Sequence, residues 1–134
     1  MLLLVTVVLV LGAVGIHLQA FELLTRVLKH VQRRRLWVAV AVIGAIAANV
    51  LEIGLFSLGY YFMASDDSGF LVTAAGQRND DFLYFSFVAY TSLGFGDLIP
   101  KGPIRFLTAI ETLTGLVLIA WTASYLLMQM QQMW

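Results

Sequence analysis

Tyr90-Thr91-Ser92-Leu93-Gly94-Phe95-Gly96-Asp97-Leu98-Ile99-Pro100 lies between two apolar runs, each long enough to cross a bilayer. Gly94 and Gly96 stand two apart, flank an aromatic, follow a hydroxyl–leucine pair and precede an acid. Glycine adopts positive φ at no steric cost, so successive peptide carbonyls here can turn to one side. A line of carbonyl oxygens facing an axis can replace the water around a dehydrated cation. One strand offers too few oxygens to surround an ion, so several copies must meet around that axis.

Gly-x-Gly also occurs in ordinary turns and in nucleotide loops. A dinucleotide loop needs a strand before it, a helix after it and a third glycine. Position 99, where that glycine would fall, is Ile, and Phe82 to Thr91 reads as a short helix rather than a strand.

The context is a membrane. The chain has 134 residues, 60% of them hydrophobic and 12% charged, with mean hydropathy +0.88. Its apolar runs go uninterrupted by charge for longer than core helices require. The absence of cysteine excludes a disulfide framework and a thiolate metal site. The sequence has no basic nucleic-acid surface, no Ser-His-Asp constellation and no His-x-x-x-His, so neither nucleic-acid binding nor enzyme chemistry is expected.

Met1 to about Leu24 is the first apolar segment; no Lys or Arg precedes it, and the positive n-region and cleavage site of a secretory signal are not evident. Arg26, Lys29, Arg33, Arg34 and Arg35 follow it. The positive-inside rule makes that loop cytoplasmic and puts the N-terminus outside. Setting topology is a sufficient role for the cluster; Arg33, Arg34 and Arg35 are also placed to bind anionic lipid headgroups.

The second span runs from Leu36 to Met63, with Trp37 and Tyr60-Tyr61 as interfacial rings at its two ends. Ala41, Gly44, Ala45 and Ala48 give it small faces for close helix contact. Residues 64–81 read as a polar extracellular loop, with Asn79 or Asp80 capping the next helix and Asp81 in its first turn. Residues 82–91, at about 15 Å, are too short to span. Non-helical backbone at membrane depth is tolerated only when buried in protein or lining a water-filled path. A short helix followed by the glycine stretch is thus a re-entrant pore loop, its C-terminal end aiming partial negative charge at the pore. Pro100 and Pro103 end it, and Ile104 to about Met130 is the third span, returning inward to a cytoplasmic C-terminus; the tail through Trp134 is too short for a regulatory domain.

In this topology five outer acids (Asp66, Asp67, Asp80, Asp81, Asp97) against Arg78, Lys101 and Arg105 leave −2 outside. The five basic residues less Glu22 leave +4 inside. The acidic outer face concentrates cations at the mouth. Glu52 and Glu111 remain within the membrane, both in its outer half by the arithmetic of helical rise. Buried carboxyls are costly unless paired, hydrogen-bonded or neutral. At least one is expected to be protonated, bonding the pore helix, Asn49 or the other acid, and a clamp behind the glycine stretch is the preferred role over sensing. His17 is expected to lie nearer the inner side, out of reach of this pair.

Residues 91–97, with the downstream proline and two flanking apolar helices, resemble the selectivity filter of potassium channels, commonly Thr-Val-Gly-Tyr-Gly-Asp and Gly-Phe-Gly in variants. The resemblance covers residues 36–134 and is to the two-helix pore module of that superfamily: outer helix 36–63, loop 64–81, pore helix 82–91, filter 92–97 and inner helix 104–130. It implies an all-α integral membrane fold, a homotetramer around a central pore, and K+ held by the Ser92 hydroxyl and the carbonyls of Ser92, Leu93, Gly94 and Phe95. Potassium is then the transported ligand, with no organic cofactor and no chemical step. Thr91 would pack behind the filter, and Asp97 would sit at its outer mouth. Gly115 lies near the family's hinge glycine, with close helix packing as an equal reading. Leu116, Ile119, Ala123 and Leu127 would line the cavity, with Met130 and Gln131 at the inner mouth.

The chain departs from the pattern. Ser92 replaces Thr, Phe95 lacks the phenol that anchors the filter, and Val88 stands where some members pair an acid with the filter Asp. Asp97 must find another partner, a Tyr hydroxyl or water. A less rigid filter follows, with conduction that depends on external potassium. Residues 1–35 add a helix and basic loop to the minimal module; its arginines have no voltage-sensor spacing. The reading is a potassium-selective channel of a plasma membrane. The alternatives are a weakly selective cation channel, a nonconducting membrane subunit, or a proton-coupled transporter using Glu52 and Glu111.

Overall fold

The apolar runs form three long helices. In the computed structural model, which describes residues 1–133, α1 spans Leu2–Leu28, α2 Arg34–Ser65, and α4 Ile104–Met133. All three are long and apolar enough to cross a membrane. Trp134, in the tail of the inner-helix reading, lies outside the described residues. A nine-residue helix, α3 (Phe82–Tyr90), packs between α2 and α4. Hydroxyls that would be stranded in lipid fold back onto their own helices: Thr6, Thr25, Thr108, Thr114 and Thr122 each donate to the carbonyl four residues earlier.

The fold is mostly helical, but not wholly. The segment read as a polar loop carries β1 (Phe70–Thr73) and β2 (Arg78–Asn79), and β3 (Leu98–Lys101) joins them in a three-stranded antiparallel sheet of order β2-β1-β3. Leu71 pairs with Pro100 and Val72 with Ile99. Pro100, which has no N–H to give, sits on an edge strand where one is not needed. Gly69 (φ 146°) makes the crossing possible: a Cβ there would lie 2.5 Å from the Lys101 carbonyl oxygen and 2.8 Å from Ile104 Cγ1. The cap of α3 also differs from expectation. Asp81 is the N-cap, accepting from Tyr84 N at 3.2 Å, while Asn79 Oδ1 accepts from Asp81 N at 2.8 Å.

α1 and α2 form an antiparallel pair whose register is set by small residues. Leu9 packs over Gly59, Gly12 beneath Leu55, and Leu24 over Gly44. The core falls into two apolar clusters. One gathers Leu9, Phe56, Tyr60, Phe85, Tyr90 and Leu107; the other gathers Phe21, Leu24, Trp37, Ala41 and Ala45. Trp37 and Tyr60 belong to these cores, at 6% and 0% exposure, rather than to the interfacial belt; Tyr61 alone of the Tyr pair is exposed. His17 on α1, Asn49 and Glu52 on α2 and Thr122 on α4 lie in sequence between the residues of the two clusters, and the hydroxyl of Tyr90, from the first cluster, bonds into that polar layer.

Candidate functional site

Residues 91–97 connect the C-terminus of α3 to β3, and all seven are exposed on the isolated chain. Their backbone is held from behind. Thr91 N donates to Phe87 O, Ser92 N to Ala89 O at 3.1 Å, and Gly94 N to Val88 O at 3.3 Å. Positive φ recurs at every second residue: Ser92 (61°), Gly94 (55°) and Gly96 (77°). Glycine accepts that conformation freely, whereas at Ser92 the left-handed region costs roughly 1 kcal/mol. Ser92 is the position whose strain sequence reading missed, because nothing in its side chain announces it. Thr91 is the C-cap of α3, and its hydroxyl donates to Phe87 O at 2.7 Å.

Asp97 has a protein partner. Tyr84 OH donates to its Oδ2 at 2.6 Å, and Leu98 N donates to its Oδ1 at 3.1 Å. The hydrogen bond to the carboxylate, first among the causes, raises the Tyr84 phenol above its ordinary value and keeps it a donor. Tyr84 was not named from the sequence; its offset of 13 residues from Asp97 becomes readable only once α3 and the loop after it are known to fold back on each other.

Behind the loop, each intramembrane acid grips α3. Glu111, fully buried on α4, accepts from Tyr60 OH on Oε2 at 2.5 Å and from Ser86 Oγ on Oε1. Ser86 also reaches Ile53 O at 2.9 Å. Glu52, fully buried on α2, accepts from Tyr90 OH on Oε2. The two acids do not bond each other; each takes a separate hydroxyl of α3. Glu52 Oε1 meets His17 Nδ1 at 2.7 Å, which corrects the expectation that His17 lies out of reach. In the observed register Leu28 stands level with about Val40, so α2 begins roughly 9 Å beyond the end of α1, and His17 rises to the height of Glu52.

Residues 49–132 match the family model described as "Ion channel", a stretch that takes in the second half of α2, the whole of α3, the glycine loop and almost all of α4. The chain belongs to this ion-channel family. Its module is the two-helix, potassium-channel-type pore. The chain is also similar to the uncharacterized membrane protein YdjJ of Bacillus subtilis (strain 168), 34% identical over 82 residues. That alignment takes in 58% of this chain and 24% of the relative, so the chain spans about a quarter of the relative's length. No solved structure matches.

Within the channel module, Gly115 is a point of close contact between α4 and the end of α3. A Cβ at that position would overlap the Tyr90 carbonyl oxygen, and it would lie 3.0 Å from Tyr90 Cγ. α4 runs unbroken through it. Leu116, Ile119, Ala123 and Leu127 point out of the chain, as does Gln131; Met130 instead is half-buried against the Trp37 cluster. Beside the glycine loop lies an apolar recess of about 360 Å³, walled by Val88, Ala89, Leu98 and Thr112 among others. Leu93 and Phe95, 56% and 66% exposed, project from the same loop without a partner in the chain's own core.

Proposed function

We propose that this chain is a subunit of a homotetrameric, potassium-selective channel, in which residues 92–97 of four copies form the filter and K+ is the transported ion. The observation that carries the reading is the loop with alternating positive φ at Ser92, Gly94 and Gly96, exposed in front and pinned from behind by the carbonyls of α3. Alternation of φ sign is what lets consecutive carbonyls face one axis. The Ser92 hydroxyl and the carbonyls of Ser92, Leu93, Gly94 and Phe95 are the ion ligands. α3 is then the pore helix, entering and leaving from one side of the bilayer, and Asp97 with Tyr84 rims the outer mouth.

A tetramer accounts for surfaces that a single copy leaves bare. Exposed Leu93 and Phe95 and the apolar recess beside them are complementary in character, and neighbouring subunits would bury both. The exposed stripe Leu116, Ile119, Ala123 and Leu127 would line the cavity below the filter. Gly115 serves packing on Tyr90 in this state rather than acting as a bend. The N-terminus lies outside and the Arg26–Arg35 segment inside a plasma membrane, where exposed Arg33, Arg34 and Arg35 would meet anionic headgroups.

Purified protein in proteoliposomes tests the reading. K+ efflux under a valinomycin-free gradient should exceed Na+ efflux, with no accompanying proton movement. Equal Na+ efflux would favour the weakly selective cation pore to which the strained Ser92 and phenol-less Phe95 point. Proton-coupled flux lost in Glu52→Gln or Glu111→Gln would favour a transporter, and no flux a nonconducting subunit.

A further inference from the structure

We propose that His17, on the helix that lies outside the channel module, is a positioning residue for the filter. It acts by deciding which acceptor the Tyr90 hydroxyl takes. The proposal rests on the channel reading above.

The geometry is a junction of all four helices. Tyr90 is the last residue of α3, and Ser92, the first filter ligand, follows it by two. Its hydroxyl has one proton and two acceptors within reach: Glu52 Oε2 and, at 3.0 Å, Asn49 Oδ1. Asn49 is itself held by Thr122 of α4, Nδ2 to Oγ1 at 3.1 Å, and by Ala45 O. Glu52 Oε1 has a single protein partner among the described residues, His17 Nδ1. The histidine therefore sets the rotamer of the carboxylate that competes with Asn49 for Tyr90.

His17 is built to hold still. It is fully buried, with its ring 4.2 Å from the Phe21 ring and 4.9 Å from that of Trp121 on α4. Its Nε2 is buried and has no hydrogen-bond partner among the described residues. Glu52 Oε1 is an acceptor at 2.7 Å, so the proton belongs on Nδ1, donated to Glu52, and the buried Nε2 keeps its lone pair. Nothing in the apolar packing of α1 calls for an imidazole here; an aliphatic side chain would fill the space without desolvating two polar groups. What the imidazole adds is a rigid donor that reaches the end of the pore helix through Glu52. Without it Glu52 is free to turn, Tyr90 is free to shift to Asn49, and the first carbonyl ring of the filter loses its support.

Asparagine and glutamine separate this role from packing. In His17→Asn the side-chain amide N–H would lie where Nδ1 does now. In His17→Gln the longer side chain would carry it toward the site of Nε2, where there is no partner. The experiment measures K+ and Na+ efflux from proteoliposomes for wild type, His17→Leu, His17→Asn and His17→Gln, each also in a Tyr90→Phe background, with elution profile and thermal stability recorded. His17→Leu and His17→Gln should lower the K+/Na+ efflux ratio about tenfold, the size of one charge-assisted hydrogen bond. His17→Asn should recover most of the ratio. In the Tyr90→Phe background none of the three should change it further, because the switchable proton is gone. If His17→Leu fails to fold, the asparagine and glutamine variants carry the test. A selective His17→Leu, an asparagine variant no better than the glutamine one, or effects that add to Tyr90→Phe would each overturn the proposal. Wild-type vesicles with no flux would instead overturn the channel reading itself.

Discussion

The Glu111 carboxylate on α4 and the Ser86 hydroxyl on α3 are directly bonded, although 25 residues separate them in the chain. The bond fastens the middle of the short helix to α4, while Tyr60 on α2 grips the other carboxylate oxygen. A nine-residue helix has little stability alone, so these side-chain ties hold it at its depth.

Glu111→Leu should therefore destabilise the protein by about 2–3 kcal/mol, since Ser86 loses its bond to α4 and Tyr60 OH is left with its longer bond to Thr108 Oγ1 at 3.1 Å. Glu111→Gln should cost about 1 kcal/mol. The glutamine carbonyl accepts from Tyr60, and its amide donates to Ser86 Oγ, whose own proton then goes to Ile53 O. Thermal unfolding in detergent reads the difference. Equal losses for the two variants would mean that the carboxylate is not an acceptor for Tyr60.

Gly115→Ala places a methyl against the Tyr90 carbonyl. The obstacle is backbone and cannot rotate away, so a loss of about 1–3 kcal/mol is expected, together with lost K+ flux. Gly54→Ala is the internal control, because nothing lies within 4 Å of a Cβ there. It should stabilise α2 by roughly 0.5–1 kcal/mol and leave flux intact. Thermal melts of both variants, with flux measured in parallel, check the pair.

Tyr84→Phe removes the phenol from Asp97 and leaves that oxygen to water. Asp97 is exposed and Tyr84 half-buried on the isolated chain, and the ring stays in place, so the melting temperature should move little. Conduction should change instead: current should decay faster when external K+ is replaced by Na+, and Tyr84→Trp, which offers an N–H donor, should restore part of its duration. Unchanged decay in Tyr84→Phe would show that the Asp97 contact does not brace the filter.

Much of this arrangement was readable in the chain, and what was not has a common cause. Leu2–Leu28, Arg34–Ser65 and Ile104–Met133 are betrayed by sustained hydropathy, and the glycine loop by residues whose backbone needs are unusual. That the acids seek α3 follows from the cost of burying carboxyls. The sheet was missed because strands of two and four residues carry no alternation long enough to detect. Trp37 and Tyr60 were set at the interface because a ring near a helix end looks the same whether it meets lipid or protein. His17 was misplaced because facing positions on two helices depend on their offset, and here Gly44 and Gly59, not the loop, set it. Periodicity speaks within an element; register between elements is decided by contacts that the sequence does not display.

Ser92→Thr offers a sharp trial of the loop's geometry, because the two considerations at that position oppose each other. Threonine is the residue most often found there in the channels this stretch resembles, and it keeps the hydroxyl. Yet Ser92 has φ of 61°, and a β-branched side chain is a genuine outlier in that region. The added methyl should cost about 1 kcal/mol beyond the strain serine already bears. Ser92→Gly should relieve that strain by a similar amount while deleting the hydroxyl proposed as an ion ligand. Thermal stability should therefore rank glycine above serine above threonine, whereas K+ selectivity should be highest for serine, with glycine losing a ligand and threonine distorting the first carbonyl ring. A threonine variant that melts higher and selects better would show that residue 92 of the assembled protein has left the left-handed region.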